Sequence, residues 1–285
     1  MASSPRVAML SQNHRRLTPE IVAPIEKAIK EHCELVFQDL KGERTDELAA
    51  AKADFVVVLG GDGSILRAAR CMGTEQIPVL GVNLGKLGFL ADIPTDEFEI
   101  ALQATVRGEH RVIPHLMFDC EIYRDGKLLM SKLGLNETAI LGGPPFSILE
   151  VDLYIDGARA TSYSCDGLIV STPVGSTAHN LSAGGPILRK DVQAFVISAV
   201  SPHTLTVRPV VDAAERVYEM RVGEPHEWTS VVVDGQLIHS LAKNDIVRVK
   251  RASAQFQMIE IAGRDYYQTL REKLGWGGRF ASKKK

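Results

Sequence analysis

The stretch Asp54-Phe-Val-Val-Val-Leu-Gly-Gly-Asp-Gly-Ser64 constrains the fold of this chain more than any other. Phe55 to Leu59 is a run of β-branched and aromatic residues and reads as a strand buried on both faces. It stops at Gly60-Gly61-Asp62-Gly63, after which Ile65, Leu66, Ala69 and Met72 recur at helical spacing and Gly73 closes the helix. A strand, a glycine turn and a helix N-terminus make an anion site, because glycines let backbone N–H groups approach phosphate oxygens and the helix dipole adds positive potential. Asp62 is the odd member. A carboxylate in a phosphate cradle repels the ligand unless it binds a metal or takes a proton from a nucleophile, which points to phosphoryl transfer. The same residues also suit a tight turn, with Asp62 capping a helix that starts at Ser64, and alone they leave both readings open. The flanking strand and helix favour the phosphate reading, since open α/β sheets bind ligands at this place.

The chain is 285 residues long, enough for two domains with their own cores. A formal charge of −2 gives no support for bulk attraction to nucleic acid or membrane. A polyanionic ligand must therefore be held by local N–H groups, a few basic side chains and metal. The run Lys283 to Lys285 reads as a solvated tail. Four scattered cysteines, Cys33, Cys71, Cys120 and Cys165, form no Cys-x-x-Cys pair, and Cys71 reads as an apolar filler on a core helix. That pattern suits a reducing cytosol. No N-terminal apolar segment of signal-peptide type and no run of spanning length is present, so a soluble, cytoplasmic protein is expected.

Strand and helix signals alternate over the first hundred residues. Strands are expected at Val7–Leu10, Leu35–Phe37, Phe55–Leu59 and Pro78–Val82, and helices at Pro19–Lys30, Glu43–Ala51 and Ser64–Met72. Such alternation predicts a Rossmann-like open parallel sheet wrapped by helices. The glycine-rich loop Gly81–Leu90 runs close to something, and its Phe89 either stacks on a ligand ring or anchors the loop in the core. Asp96 with Glu99 resembles a capping box for a helix ending at Gly108.

From about His110 the period changes to two, as in Leu116, Phe118, Cys120 and Ile122, or Val151, Leu153 and Ile155. Asp-Gly pairs at 125–126, 156–157 and 234–235 are hairpin-turn signals. An all-β sandwich is expected here. Tyr266, Tyr267, Leu270 and Leu274, near Trp276, then mark a last helix that packs back on the body. The expected division is 1–108 for the α/β domain, 109–264 for the β-rich domain, and 265–285 for the terminal helix and basic tail, which return to the first domain.

Two stretches of the β-rich half are too polar and flexible for plain strands. Asn136-Glu137 offers amide donors and carboxylate acceptors suited to ribose hydroxyls or a base edge, though a bulged strand would look the same. Asp166 to Pro186 runs from a buried strand, Leu168 to Val170, into a Ser/Thr/Gly loop whose hydroxyls at Ser176, Thr177 and Ser182 suggest a concave polar lining. No His-Glu-x-x-His, Gly-x-Ser-x-Gly or Gly-x₄-Gly-Lys-Ser/Thr is present, which disfavours a zinc hydrolase, a serine hydrolase and a P-loop NTPase.

With both regions in view the sequence resembles the NAD kinase family, which makes NADP with ATP or, in some members, polyphosphate. The resemblance runs nearly the whole length through Gly60–Gly63, Gly81–Asp92, Asn136-Glu137, Asp166–Pro173, Gly175–Ala178, Ser182–Pro186, Pro202–Leu205, Asp234-Gly-Gln236 and Leu270–Trp276. Gly-Gly-Asp-Gly alone also occurs in phosphofructokinases and lipid kinases, and the later motifs supply the specificity. A sugar or lipid kinase and a non-catalytic dinucleotide-binding protein are the competing classes.

The resemblance implies that Asp62 is the general base for the 2′-hydroxyl of the adenosine ribose of NAD. It implies that Gly60, Gly61, Gly63 and Ser64 hold the transferring phosphate and ATP, with a divalent cation, Mg²⁺ in expectation, carried on phosphate oxygens. Asp62, Gly63, Phe89, Asn136, Glu137, Asp166, Thr177, Ala178, His179, Ser182 and Gln236 fall in the NAD-binding set it implies. Asp166 matches an acid that reaches the nicotinamide end, often from a neighbouring subunit, and a homotetramer or homodimer is implied. His179 stands where the family usually has tyrosine, a smaller ring that titrates near neutrality.

Overall fold

The computed structural model describes residues 4–12, 17–44, 47–85, 87–144, 148–262 and 266–275. Trp276 and the basic run 283–285 lie outside the described residues. The chain divides into two compact units, Met1–Ile113 with Gln257–Lys285, and Pro114–Phe256.

The first unit runs β1 (Arg6–Ser11), α1 (Pro19–His32), β2 (Glu34–Asp39), β3 (Phe55–Gly60), α2 (Asp62–Met72), β4 (Val79–Asn83), β5 (Ile93–Pro94) and α3 (Phe98–Val106). The strands are parallel, in the order β2-β1-β3-β4, with β5 pairing the end of β4 and Met258 pairing Val79. All six residues of β3 are buried, as the sequence run requires of a strand covered on both faces. Val7, Met9, Phe55, Val57, Leu59, Leu80 and Val82 share one core with Ile25 and Ile29 of α1 and Phe98 and Leu102 of α3. Gly81 lies on the other face, beside Val58, and Ile65 of α2 closes over it there.

Two local expectations fail. In place of a helix over Glu43–Ala51, the Asp39 carboxylate gathers the backbone N–H groups of Lys41, Gly42, Glu43 and Arg44 at 2.7–3.2 Å. That side chain offers the backbone an alternative to helix; Thr45 and Asp46 lie outside the described residues, and among the described ones the 3₁₀ turn Ala49–Ala51 follows, ended by Lys52 at φ 49°. Asp96 does not cap α3. It lies inside a 3₁₀ turn, Thr95–Glu97, whose Thr95 carbonyl accepts the Phe98 N–H, so the helix entry needs no side-chain cap.

Among its described residues the second unit is built of strands joined by loops, with one 3₁₀ turn and one short helix. It contains β6 (His110–Arg124), β7 (Lys127–Gly134), β8 (Glu137–Leu141), β9 (Leu149–Ile155), β10 (Ala158–Cys165), β11 (Gly167–Ser171), α4 (His179–Ser182), β12 (Ala194–Val200), β13 (Val210–Ala213), β14 (Tyr218–Val222), β15 (Ser230–Val233), β16 (Gln236–Ser240) and β17 (Ile246–Ile261). One sheet is ordered β10-β9-β14-β17-β6-β7 and the other β13-β12-β11-β8-β15-β16. Residues such as Phe118, Leu153, Tyr218 and Val247 from the first meet Leu168, Phe195, Ile197 and Val231 from the second in one core, which makes a sandwich. Each Asp-Gly pair turns a hairpin with both residues at positive φ (Asp125 49°, Asp156 51°, Asp234 47°), the conformation of a type I′ turn. The last strand ends in the first unit, and α5 (Tyr266–Leu274) follows with Leu270 buried.

Candidate functional site

In the first unit the candidate residues surround the β3–α2 turn. Gly60 sits at φ +153°, and a Cβ there would overlap the Ser64 hydroxyl, so both geometry and space select glycine. A Cβ on Gly61 or Gly63 would meet nothing within 4 Å, which leaves the backbone of the turn open to an approaching ligand. The helix begins at Asp62, with Gly61 as N-cap and no side-chain cap bond. Asp62 is thus a first-turn residue, and the reading of it as the cap of a helix starting at Ser64 does not hold.

Its carboxylate instead reaches across to the loop after β4. Oδ2 accepts the Phe89 N–H at 2.8 Å, and Oδ1 accepts those of Leu90 at 2.8 Å and Ala91 at 3.1 Å. Asn83 reinforces that loop, donating Nδ2–H to the Ala91 carbonyl at 3.0 Å and accepting the Gly85 N–H at 2.6 Å. Phe89 is half-buried, with the Lys273 ammonium of α5 4.4 Å from its ring centre. A cavity of about 290 Å³ opens beside the end of β4, lined by Asn83, Leu84, Leu87, Asp92 and Pro94. A larger one of about 530 Å³, lined by residues of 108–111 and 260–262, contains none of the candidate residues.

In the second unit the candidates gather on β8, the turn after β15 and the loop after β11. The Asn136 backbone is fixed from both sides: its N–H donates to Asp234 at 2.7 Å and its carbonyl accepts the Thr172 N–H at 2.8 Å. Gly175 lies directly against it, and a Cβ at that position would overlap the Asn136 carbonyl. Glu137 is 6% exposed, and its Oε2 has no hydrogen-bond partner among the described residues. Burial, with the Asp234 charge adding to it, pushes its carboxyl up to about 8, against the opposing pull of the His179 backbone N–H. Burial also lowers the His179 imidazole below its ordinary value, which favours the neutral ring.

The hydroxyls of the 171–182 loop divide. Ser176 is fully buried, donating to the Pro173 carbonyl at 2.6 Å and accepting the Leu188 N–H at 3.0 Å, so it braces the loop and does not line a concavity. That corrects the sequence expectation, and the cause is the 3₁₀ turn Gly175–Thr177, which turns Ser176 inward. Thr177 and Ala178 are half-buried at the end of that turn, and Ser182 is exposed at the end of α4. Asn180 is buried and joins Ser176, Pro186 and Ser198 through hydrogen bonds of 2.7–3.1 Å. Asp166 is exposed, 3.6 Å from the His203 ring nitrogen, and Gln236 is exposed at the start of β16.

The family model described as the ATP-NAD kinase N-terminal domain matches residues 8–110, and that of the ATP-NAD kinase C-terminal domain matches residues 135–261. The chain belongs to the ATP-NAD kinase family. An NAD kinase of Rhodopirellula baltica is 50% identical over 277 residues, which is 97% of this chain and 88% of that protein. One of Geobacter metallireducens is 40% identical over 82% of this chain and 83% of that protein. Among solved structures, an Archaeoglobus fulgidus NAD kinase in complex with ATP superposes with a TM-score of 0.73 at 27% identity, covering 95% of this chain and 97% of that one. Yeast NADH kinase complexed with NADH superposes at 0.87 with 21% identity, covering 99% and 91%, and shows the shared fold. This member of the NAD kinase family is therefore an ATP-dependent enzyme that phosphorylates NAD.

Sequence reasoning missed Asp234 as more than a turn residue. Its carboxylate collects the N–H groups of Leu135, Asn136 and Glu137, almost a hundred residues earlier in the chain. It also missed Thr172, whose hydroxyl donates to the Leu135 carbonyl at 2.6 Å and accepts the Gly175 N–H at 3.1 Å. The hairpin signal at Asp234-Gly235 explained that aspartate fully and concealed its second task.

Proposed function

We propose that this NAD kinase transfers the γ-phosphoryl group of ATP, carried with Mg²⁺, to the 2′-hydroxyl of the adenosine ribose of NAD, with Asp62 as the base. The observation that supports this is the unequal loading of the Asp62 carboxylate. Oδ1 accepts two N–H groups and Oδ2 one, so Oδ2 keeps a lone pair for a substrate proton. In that role Oδ2 takes the hydroxyl proton as the oxygen attacks the γ-phosphorus, and ADP leaves with the electron pair of the broken P–O bond. A positioned carboxylate base contributes roughly 10²–10⁴-fold. Alignment and neutralisation of phosphate charge supply most of the rest.

The metal fits this chain as a companion of the donor. Three backbone N–H groups already engage Asp62, which suits a cation held on triphosphate oxygens better than one held by a protein carboxylate. When bound, Mg²⁺ neutralises charge on the transferring phosphate. The backbone of Gly60, Gly61, Gly63 and the Ser64 hydroxyl are assigned to phosphate, and the same groups suit polyphosphate as a second donor. Phe89, Asn136, Glu137, Asp166, Thr177, Ala178, His179, Ser182 and Gln236 are assigned to NAD. Residues 109–264 are assigned dinucleotide binding and subunit contact, in a homotetramer or homodimer. Four free cysteines, three of them buried, support a reducing, cytoplasmic setting. No described helix is long and apolar enough to cross a membrane.

The test combines purified protein, NAD and Mg-ATP, and asks whether an NADP-specific dehydrogenase can reduce the product. Absence of that product from folded protein would favour a dinucleotide-binding module. Asp62→Asn is expected to keep the fold and NAD affinity while kcat falls by about 10²–10⁴-fold. A kcat close to the unsubstituted enzyme's would remove Asp62 from the role of base.

A further inference from the structure

Glu137 is held at considerable electrostatic cost. It is nine-tenths buried, one carboxylate oxygen has no partner among the described residues, and the Asp234 charge that acts on it has the same sign. Asp234 is itself 7% exposed and sits at φ 47° in the β15–β16 hairpin. Asn-Gly turns such a hairpin as well as Asp-Gly does, so the turn has no need of a charge. What the carboxylate does is gather N–H groups: those of Leu135 at 3.0 Å, Asn136 at 2.7 Å and Glu137 at 3.3 Å. Those bonds place the two residues assigned to NAD.

We propose that Asp234 is a positioning residue of the acceptor site, fixing the backbone of Asn136 and Glu137, and that its charge couples NAD binding to the release of a proton from Glu137. This rests on the assignment of Glu137 to NAD. Among the described residues, the titratable residues that act on Glu137 are Asp234 on the β15–β16 turn, through its charge, and His179 at the start of α4, through its backbone N–H. Ser171 of β11, its register partner, adds only a hydroxyl. Burial lowers the His179 imidazole, which favours its neutral form as pH rises, the opposite burial response to that of the Glu137 carboxyl. With its carboxyl pushed up to about 8, Glu137 carries a proton at neutral pH before NAD arrives. A ribose hydroxyl donates more strongly to a carboxylate than to a neutral carboxyl, so its bond to the orphaned oxygen favours the charged form and the proton leaves to solvent as the complex forms.

The experiment is calorimetric titration of the full chain with NAD, in buffers of different ionisation enthalpy at pH 7 and pH 9. Release of about 0.9 proton per NAD is expected at pH 7 and about 0.1 at pH 9, with NAD binding roughly tenfold tighter at the higher pH. Asp234→Asn keeps an oxygen acceptor for the three N–H groups and removes the charge. It is expected to lower the proton count at pH 7 and to move the affinity midpoint to lower pH. A folded Asp234→Asn variant with an unchanged proton count and midpoint removes Asp234 from the coupling. No proton release from the unsubstituted protein at pH 7 overturns the coupling whether or not that variant folds. Glu137→Gln separates the two levels. If it weakens NAD binding but the unsubstituted protein releases no proton, the coupling fails and the site assignment stands. If it binds NAD as before, the assignment of Glu137 to the site fails.

Discussion

Gly88 is the residue that leaves room for the carboxylate of Asp62: a Cβ on Gly88 would overlap Asp62 Oδ1, stand 3.0 Å from its Cγ and come within 2.8 Å of the Ala91 carbonyl. Gly88→Ala must therefore displace either the carboxylate or the loop that donates to it. Overpacking of this kind costs about 1–3 kcal/mol. Since the displaced atom belongs to the proposed base, kcat is expected to fall by at least tenfold, well beyond what the stability loss alone would give. Steady-state kinetics beside a thermal melt separate the two effects, and a variant with lower stability but full kcat would show that the carboxylate position is not critical.

Gly175 stands in the same relation to Asn136. A Cβ would overlap the Asn136 carbonyl and lie 2.7 Å from its Cα, and both atoms are backbone that a rotamer change cannot move. Gly175→Ala is expected to raise the KM for NAD by about tenfold or more with a smaller change in kcat, at a stability cost of about 1–3 kcal/mol. An unchanged KM would mean that the Asn136 position does not govern acceptor binding.

The buried Glu137 carboxyl has a consequence for stability. Its value in the fold, about 8, lies above the ordinary carboxyl value of 4.5, so the folded state holds the proton more tightly than the unfolded chain does. Stability from this group is fully present below about pH 4.5, declines as pH rises and is lost by about pH 8. Glu137→Gln removes that decline. The variant's advantage in urea unfolding is expected to grow between pH 5 and pH 8 and then level off. A constant difference across that range would contradict the burial of an ionisable carboxyl there.

His115 acts at the acid end. It is fully buried, shares Nδ1 with the Lys190 carbonyl at 3.3 Å, and lies 6.5 Å from the Phe256 ring in a stacked arrangement. Burial lowers its imidazole from 6.5 to about 4, so the unfolded chain takes up the proton first as pH falls. Stability is expected to drop between pH 6.5 and pH 4, by an amount on the order of 3 kcal/mol at most. His115→Phe should flatten that part of the pH–stability curve even if it lowers stability at pH 7. An equally steep acid limb in the variant would place the sensitivity elsewhere.

Much of the fold was legible because its signals are local. Phe55–Leu59 had to be a doubly covered strand, and three Asp-Gly pairs had to be hairpin turns. The failures came where a side chain or a tighter turn satisfied the backbone instead. Asp39 replaced a helix by binding four N–H groups, and a 3₁₀ turn made the Asp96 cap unnecessary. In the candidate site, residue types pointed to Asp62 and Glu137, but their environments were invisible. The bond from Asp62 to Phe89 spans 27 residues, and that from Asp234 to Asn136 spans 98. No periodicity or turn rule reaches that far, and only the folded topology brings those groups together.

The pairing of Met258 with Val79 also bears on how the chain is made. The strand that closes this part of the first sheet is separated from its partner by the entire second unit. At ribosomal speeds of about 5–20 residues per second, Met258 is added on the order of ten to forty seconds after Val79. For that interval β4 lacks this neighbour. A nascent chain stalled before residue 257 should therefore bind chaperones and expose β4 to protease, and one released after residue 261 should not.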